Sequence, residues 1–406
     1  MPFTPSTEHL DRYARLLVDF ALGGGEGIAP GDVVMVSCEE SARPLYAAVC
    51  RAVWRAGGHV LSQYAPDSGD GISVQRDFYE LASEAQLDFF AERYWRGVVD
   101  TADHLLRIHC DADPRALAGV DPTALMRARR ARRRLTEWQD AKETAGAFTW
   151  TIGLYGTEAM AAEAGMSLEE YWEEITSACF LADPDPVARW REVNARIAAF
   201  SAALTELPID RVHVEGEDVD LWVTIGEQRR WLGGGGRNVP SFEVFTSPDW
   251  HGTEGWIRFS EPLYVYGALI SGVELEFSEG GVVAARAEQG EELLREMIAS
   301  EHADRVGEFS LTDADLSPIR RFMANTLYDE NTGGAFGNMH IALGQAIQAT
   351  YDGDANGLIE SDWDRLGFNR SAVHTDIVST TDRTVTALLR GGGERVIYTG
   401  GRFTLA

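Results

Sequence analysis

His374 and Asp376 stand two residues apart in the run 372-AVHTDIVST-380, which otherwise reads as a strand. Side chains i and i+2 of an extended strand project from one face, roughly 6–7 Å apart. An imidazole and a carboxylate would therefore share a surface, a pairing that suits a borderline divalent cation. Further groups of the same chemistry lie upstream. His340 follows a glycine-rich turn in 331-NTGGAFGNMHIALGQA-346, and Glu308 sits in the half-apolar 307-GEFSLTD-313. Glu243 lies between Phe242 and Val244 at what reads as the start of a strand. A carboxylate among apolar residues is costly unless a cation or hydrogen bonds compensate it. Three carboxylates and two imidazoles in such settings make up the inventory of a two-metal site, in which a pair of ions activates water. Taken alone, the H-x-D spacing of His374 and Asp376 fits a satisfied core histidine better than a ligand.

The elements that must position these groups change character along the chain. The first half alternates helix and strand. Leu10, Tyr13, Leu17 and Phe20 recur at helical spacing over 8–23, and a strand at 32–38, a helix at 43–57 and a strand at 58–65 make a β-α-β unit. Strands at 102–111 and 147–155 continue the pattern, so an α/β domain with a largely parallel sheet is expected over 1–190. The prolines of 182-ADPDPVARW-190 mark the junction. Beyond it come short strands at 211–216, 219–226, 254–260, 273–280 and 281–288, separated by turn residues, then a helix at 290–301. A mixed α+β C-terminal domain, 191–406, is expected to carry the metal site.

Composition narrows the partners. The chain has 406 residues and a formal charge of −28. Such a surface repels nucleic acid and anionic membranes, so neither is expected as a partner. Lys142 is the single lysine, and all other basic residues are arginines. Either adaptation to high salt or a biased genome composition gives that pattern. The arginine run 127-RARRARRRL-135 reads as a solvated, salt-bridged helix face. The four cysteines, Cys38, Cys50, Cys110 and Cys179, form no CxxC pair, so buried thiols in a reducing compartment are expected. The N-terminus has no basic start followed by an apolar core, and no stretch approaches the roughly 20 apolar residues of a membrane span. A cytoplasmic protein is expected. Gly233–Gly236 lacks the Lys-Ser/Thr of a phosphate loop, and the remaining histidines show no metal spacing, His251 being nearest to Glu243.

Several stretches together resemble the aminopeptidase T and aminopeptidase S family of two-metal exopeptidases. They are Asn238–Pro240 running into Glu243-Val-Phe-Thr, Gly307-Glu308, 328-YDENTGG-334, His340-Ile-Ala-Leu-Gly, and Asn369-Arg-Ser-Ala-Val-His374-Thr-Asp376. The resemblance spans nearly the whole chain in order. It implies that Glu243, Glu308, His340, His374 and Asp376 hold two divalent ions, zinc, cobalt or magnesium, with Glu243 bridging them and Glu308 also acting as general base. It further implies a homodimer acting on short peptides. The family's tyrosine seven residues after the first histidine is replaced here by Ile347, which leaves Tyr351, or Tyr328 upstream, as a possible oxyanion donor. Two rival readings stay open: a relative of the mononuclear iron enzymes that open hydroxylated pyridine rings, which need only a Glu, a His and an Asp, and a repurposed amide hydrolase or metal-binding protein.

Overall fold

A computed structural model describes residues 3–69, 71–265, 268–355 and 357–405. The chain divides into two compact units, Met1–Arg191 with Gly235–Pro240, and Glu192–Gly234 with Ser241–Ala406.

The first unit is built on four parallel strands, β1 (Val33–Glu39), β2 (His59–Ala65), β3 (His104–His109) and β4 (Thr149–Leu154), in the order β2-β1-β3-β4. Parallel neighbours need a crossover. The β1–β2 connection supplies it with helix Arg43–Arg55, which has a proline in its first turn and buries Leu45, Ala48, Val49, Ala52 and Val53 at helical spacing. The first helix, Thr7–Leu16, is followed by a π-helical turn at Leu17–Ala21 and a 3-10 turn at Leu22–Gly25, so the expected helix over 8–23 widens and then tightens before the glycines end it. The arginine run falls on helix Pro122–Thr144, where Arg127 pairs with Asp88, Arg133 with Glu137 and Arg134 with Glu92. All four cysteines are buried free thiols.

The second unit contains β5 (Ile209–Gly216), β6 (Val219–Thr224), β7 (Glu243–Thr246), β8 (Glu254–Arg258), β9 (Leu263–Val265), β10 (Ala268–Ile270), β11 (Glu274–Ser278), β12 (Gly281–Arg286), β13 (Val306–Thr312), β14 (Asn338–Gly344), β15 (His374–Ser379), β16 (Arg383–Leu389), β17 (Glu394–Thr399) and β18 (Arg402–Phe403). Eight of them form an antiparallel sheet in the order β12-β11-β8-β6-β5-β16-β17-β18, and β9 and β10 form a small ribbon. Alternation along β5, β6 and β16 buries Val212, Val214, Leu221, Val223, Val385 and Ala387, which is what seats this sheet on the core. A second antiparallel sheet, ordered β15-β14-β13-β7, has its two central strands buried throughout. One of its faces is apolar, carrying Val244, Phe309, Leu311, Met339, Ile341, Leu343 and Ile377. The opposite face carries the polar residues that matter for chemistry.

Candidate metal centre

The register of the four-stranded sheet brings the distant residues together. Glu308 on β13 lies opposite Ala342 on β14, which lies opposite Asp376 on β15. In the next row Ser310 faces His340, with Phe245 on one side and Val378 on the other. In the third, Thr312 lies between Glu243 on β7 and Asn338 on β14. Directly opposed residues share a face, and so do residues two apart on one strand. Glu243, Glu308, His340, His374 and Asp376 therefore all project from one surface, and small side chains at Ala342, Ser310 and Thr312 leave room between them.

Two glycines make this register possible. β13 shifts register between Val306 and Glu308, and a Cβ at Gly307 would lie 2.4 Å from the Gln345 carbonyl oxygen and 2.5 Å from that of Gly344. Gly337 closes the turn before β14 with φ +59°, and a Cβ there would meet the Thr312 carbonyl oxygen at 2.1 Å. The glycines of the turn ahead of His340 serve this close approach, since a side chain at Gly337 would collide with the Thr312 carbonyl.

His340 Nε2 lies 3.3 Å from Glu243 Oε2, 3.3 Å from Glu308 Oε1 and 3.9 Å from Asp376 Oδ1. His374 Nε2 lies 3.7 Å from Glu308 Oε2 and 3.6 Å from Asp376 Oδ1. Ligand atoms of Glu243, Glu308 and His340 all fall within 4.8 Å of one another. Ser241 and Ser310 hydroxyls donate to the two oxygens of Glu243 at 3.4 and 3.3 Å, fixing its orientation. His340 is fully buried, whereas the His374 side chain is 32% exposed, so solvent reaches the group from the His374 side.

A sixth group, Glu330, belongs with these five and was not singled out in the sequence. It follows the short helix Thr326–Asp329 and is buried. Its Oε1 accepts from Asn331 Nδ2 at 3.3 Å, and the other end of that side chain holds the N–H of Phe242, the residue before Glu243, so the carboxyl is tied to the same strand; burial, and then the negative charges of Asp376 and Glu243, hold it far above the usual range. It lies in an irregular turn, where neither period 2 nor period 3.6 says which way a side chain faces. Its only signal was membership in 328-YDENTGG-334.

The donor set fits a divalent cation. The Gln345 carbonyl can only accept, so His374 Nδ1, 2.8 Å away, carries the proton and Nε2 turns its lone pair toward Glu308 and Asp376. Among the described residues no lysine or arginine pairs with Glu243, Glu308, Glu330 or Asp376. Burial, and then the neighbouring Glu243 and Asp376 carboxylates, push Glu308 up. Burial opposes charging of His340, but its hydrogen bonds to Glu243 and Glu308 outweigh this and draw a proton onto it. His374 is raised likewise, with Asp376 and Glu308 overcoming burial. A divalent ion satisfies the same demand for positive charge without protons.

Other groups lie elsewhere. Tyr351 is not in a helix. Its ring packs against Trp363 and Phe368, and its hydroxyl donates to Gln228 Oε1 at 3.1 Å, so the structure does not bring it onto the carboxylates. Ile347 donates its backbone N–H to Ser247 Oγ at 2.7 Å, and its side chain offers no donor. His251 stacks on Trp250 and bonds Asp249. In the first unit, Glu39, Asp67 and Cys110 also bring ligand atoms within 4.8 Å. Burial pushes the Cys110 thiol up to about 12, which keeps it a thiol and a poor ligand.

The chain resembles characterised proteins along its length. The model of the thermophilic metalloprotease family M29 matches residues 6–403. Aminopeptidase T of Thermus thermophilus is 34% identical over 316 residues, 72% of this chain and 75% of that protein. The structure of wild-type AmpT from Thermus thermophilus superposes with a TM-score of 0.79 at 27% identity, covering 98% of this chain and 99% of that one. The structure of 2,5-dihydroxypyridine dioxygenase from Pseudomonas putida KT2440 shares the fold, with a TM-score of 0.52 at 13% identity over 98% of this chain and 96% of that one. No helix among the described residues is long and apolar enough to cross a membrane. The matched length, the α/β and α+β architecture and the acid-and-imidazole cluster agree: this chain belongs to the M29 family of metalloproteases and is a metal-dependent hydrolase.

Proposed function

We propose that the protein is an aminopeptidase that removes the N-terminal residue of short peptides at a two-metal centre formed by Glu243, Glu308, His340, His374 and Asp376, with Glu330 as a sixth ligand. The convergence of Glu243, Glu308, His340, His374 and Asp376 on one sheet face carries the reading. Residues 191–406 serve as the catalytic domain and 1–190 as its companion. Ions held there, zinc, cobalt or magnesium, supply an acidified water and a polarised carbonyl. Glu243, held at both oxygens by Ser241 and Ser310, is suited to bridge two ions. Glu308, buried and with its proton affinity raised, is suited to take a proton from water and pass it to the leaving amine. Of two ions held there, one would hold the free α-amino group of a peptide or polarise the scissile carbonyl, which favours cutting at the N-terminus. Ile347 leaves the oxyanion without a tyrosine at that position, and the Tyr351 hydroxyl is engaged by Gln228. The enzyme works in the cytoplasm as a homodimer.

Glu308→Gln should abolish release of leucine or arginine from chromogenic amides while retaining part of the bound metal. Undiminished turnover in that variant removes Glu308 from the role of base. The ring-opening alternative predicts one iron per chain and oxygen uptake, but a facial three-ligand iron site has no use for six converging groups.

A further inference from the structure

Asn331 is fully buried between two of the segments that carry the acidic groups. Its Oδ1 accepts the backbone N–H of Phe242, the residue before Glu243, at 2.6 Å. A backbone N–H can only donate, so the amide orientation is settled and Nδ2 must point the other way. There it donates to Glu330 Oε1 at 3.3 Å and to the Leu327 carbonyl at 3.1 Å. The backbone of Asn331 is itself pinned, its N–H donating to the Tyr328 carbonyl and its own carbonyl accepting from Ser317 Oγ. One side chain thus ties the start of β7 to a carboxylate that arrives from an irregular turn. No regular hydrogen-bond ladder fixes Glu330, whereas Glu243, Glu308, His340, His374 and Asp376 all stand on paired strands.

From this geometry we propose that Asn331 is a positioning residue for the metal centre. Its amide sets the Glu330 carboxylate and the strand bearing Glu243 at the spacing that binds the cations. The proposal rests on the metal-centre reading above. Outer groups that orient ligands typically change metal affinity about 10- to 100-fold when lost. Asn331→Asp separates positioning from charge. It keeps an acceptor for the Phe242 N–H but cannot donate to Glu330. By charge alone a fifth carboxylate tightens cation binding; by loss of the donor it loosens it.

The test is calorimetric titration of metal-free, full-length protein with cobalt(II), together with the visible absorption of the bound ion. Wild type, Asn331→Asp, Asn331→Ser and Ser317→Ala are compared. Ser317→Ala removes a hydrogen bond from the backbone of Asn331 and leaves its amide in place, so it reports the purely structural contribution. Asn331→Asp is expected to bind cobalt about 10- to 100-fold more weakly, with an altered spectrum, while Ser317→Ala keeps the wild-type spectrum and affinity. Should Asn331→Asp not fold, Asn331→Ser, which loses both links without adding charge, carries the same comparison. Unchanged or tighter binding by Asn331→Asp, or a loss no greater than that of Ser317→Ala, overturns the proposal while leaving the metal centre standing. Failure of the wild type to bind cobalt overturns both.

Discussion

Replacing Gly307 by alanine probes how the sheet register builds the metal centre. The added Cβ would sit 2.4 Å from the Gln345 carbonyl oxygen and 2.5 Å from that of Gly344, whereas real Cβ contacts stay above about 3.0 Å. The difference, 3.0 − 2.4, requires the backbone of β13 or of the Gly344–Gln345 segment to move by at least about 0.6 Å. Both sides of that contact bear on the site. Glu308 is the next residue on β13, and the Gln345 carbonyl accepts from His374 Nδ1. Metal sites tolerate ligand displacements of only about 0.2 Å, so a movement three times larger disturbs two ligands at once. We expect a loss of stability of about 1–3 kcal/mol, as for overpacking elsewhere, and a loss of cation affinity of about 10- to 100-fold. Titration with zinc or cobalt followed by calorimetry measures the second, and urea unfolding of the metal-free protein the first. Gly97→Ala is the control: it lies in helix Glu92–Thr101 with nothing within 4 Å of the new methyl group, so it should stabilise slightly and leave binding alone. A Gly307→Ala protein that binds its cations as tightly as wild type would refute the reasoning that the bulge positions Glu308.

Three further outcomes are expected. Arg229 is buried, donates to the carbonyls of Ser247, Glu227 and Leu366, and lies 3.7 Å over the Phe368 ring, so Arg229→Met should cost on the order of 3 kcal/mol by urea unfolding; a loss below about 1 kcal/mol would contradict that role. Burial, and then Asp113, push Asp111 up to about 6 from 3.8. The folded state therefore keeps a proton that the unfolded chain releases, stability is lost as pH rises from about 4 to about 6 and stays lost above it, and Asp111→Asn should melt higher than wild type at pH 7 by an amount on the order of 1 kcal/mol after solvent screening, with no gain below pH 4. Ile347→Tyr should raise peptide hydrolysis by about tenfold or more if an oxyanion donor limits the rate, and unchanged turnover with cation binding intact would dismiss that limit.

Much of the site was legible because strand periodicity is strict. His374 and Asp376 do share a face, and Glu243 does open a strand, since alternation over a few residues already fixes facing. The parallel sheet of the first unit followed from the alternation of strands and helices in the same way. What spacing alone does not supply is the register between strands far apart in sequence. The pairing of Glu308 with Ala342 and Asp376 depends on the bulge at Gly307, which no local pattern announces. Irregular segments were opaque for a related reason. Glu330 has no strand to orient it and is placed by tertiary hydrogen bonds, including Asn338 Nδ2 donating to its carbonyl. Tyr351 is hard to place from spacing for the same reason: the chain before it is extended apart from the short 3-10 turn Gln348–Thr350, and its ring is drawn into the aromatic cluster with Trp363 and Phe368.

Diffraction from crystals soaked in zinc, recorded on both sides of the zinc absorption edge, tests the central claim most directly. Two anomalous peaks enclosed by Glu243, Glu308, Glu330, His340, His374 and Asp376 are predicted, and both should disappear in Glu243→Ala. Peaks confined to other parts of the surface, or none, with those six side chains in place would contradict it.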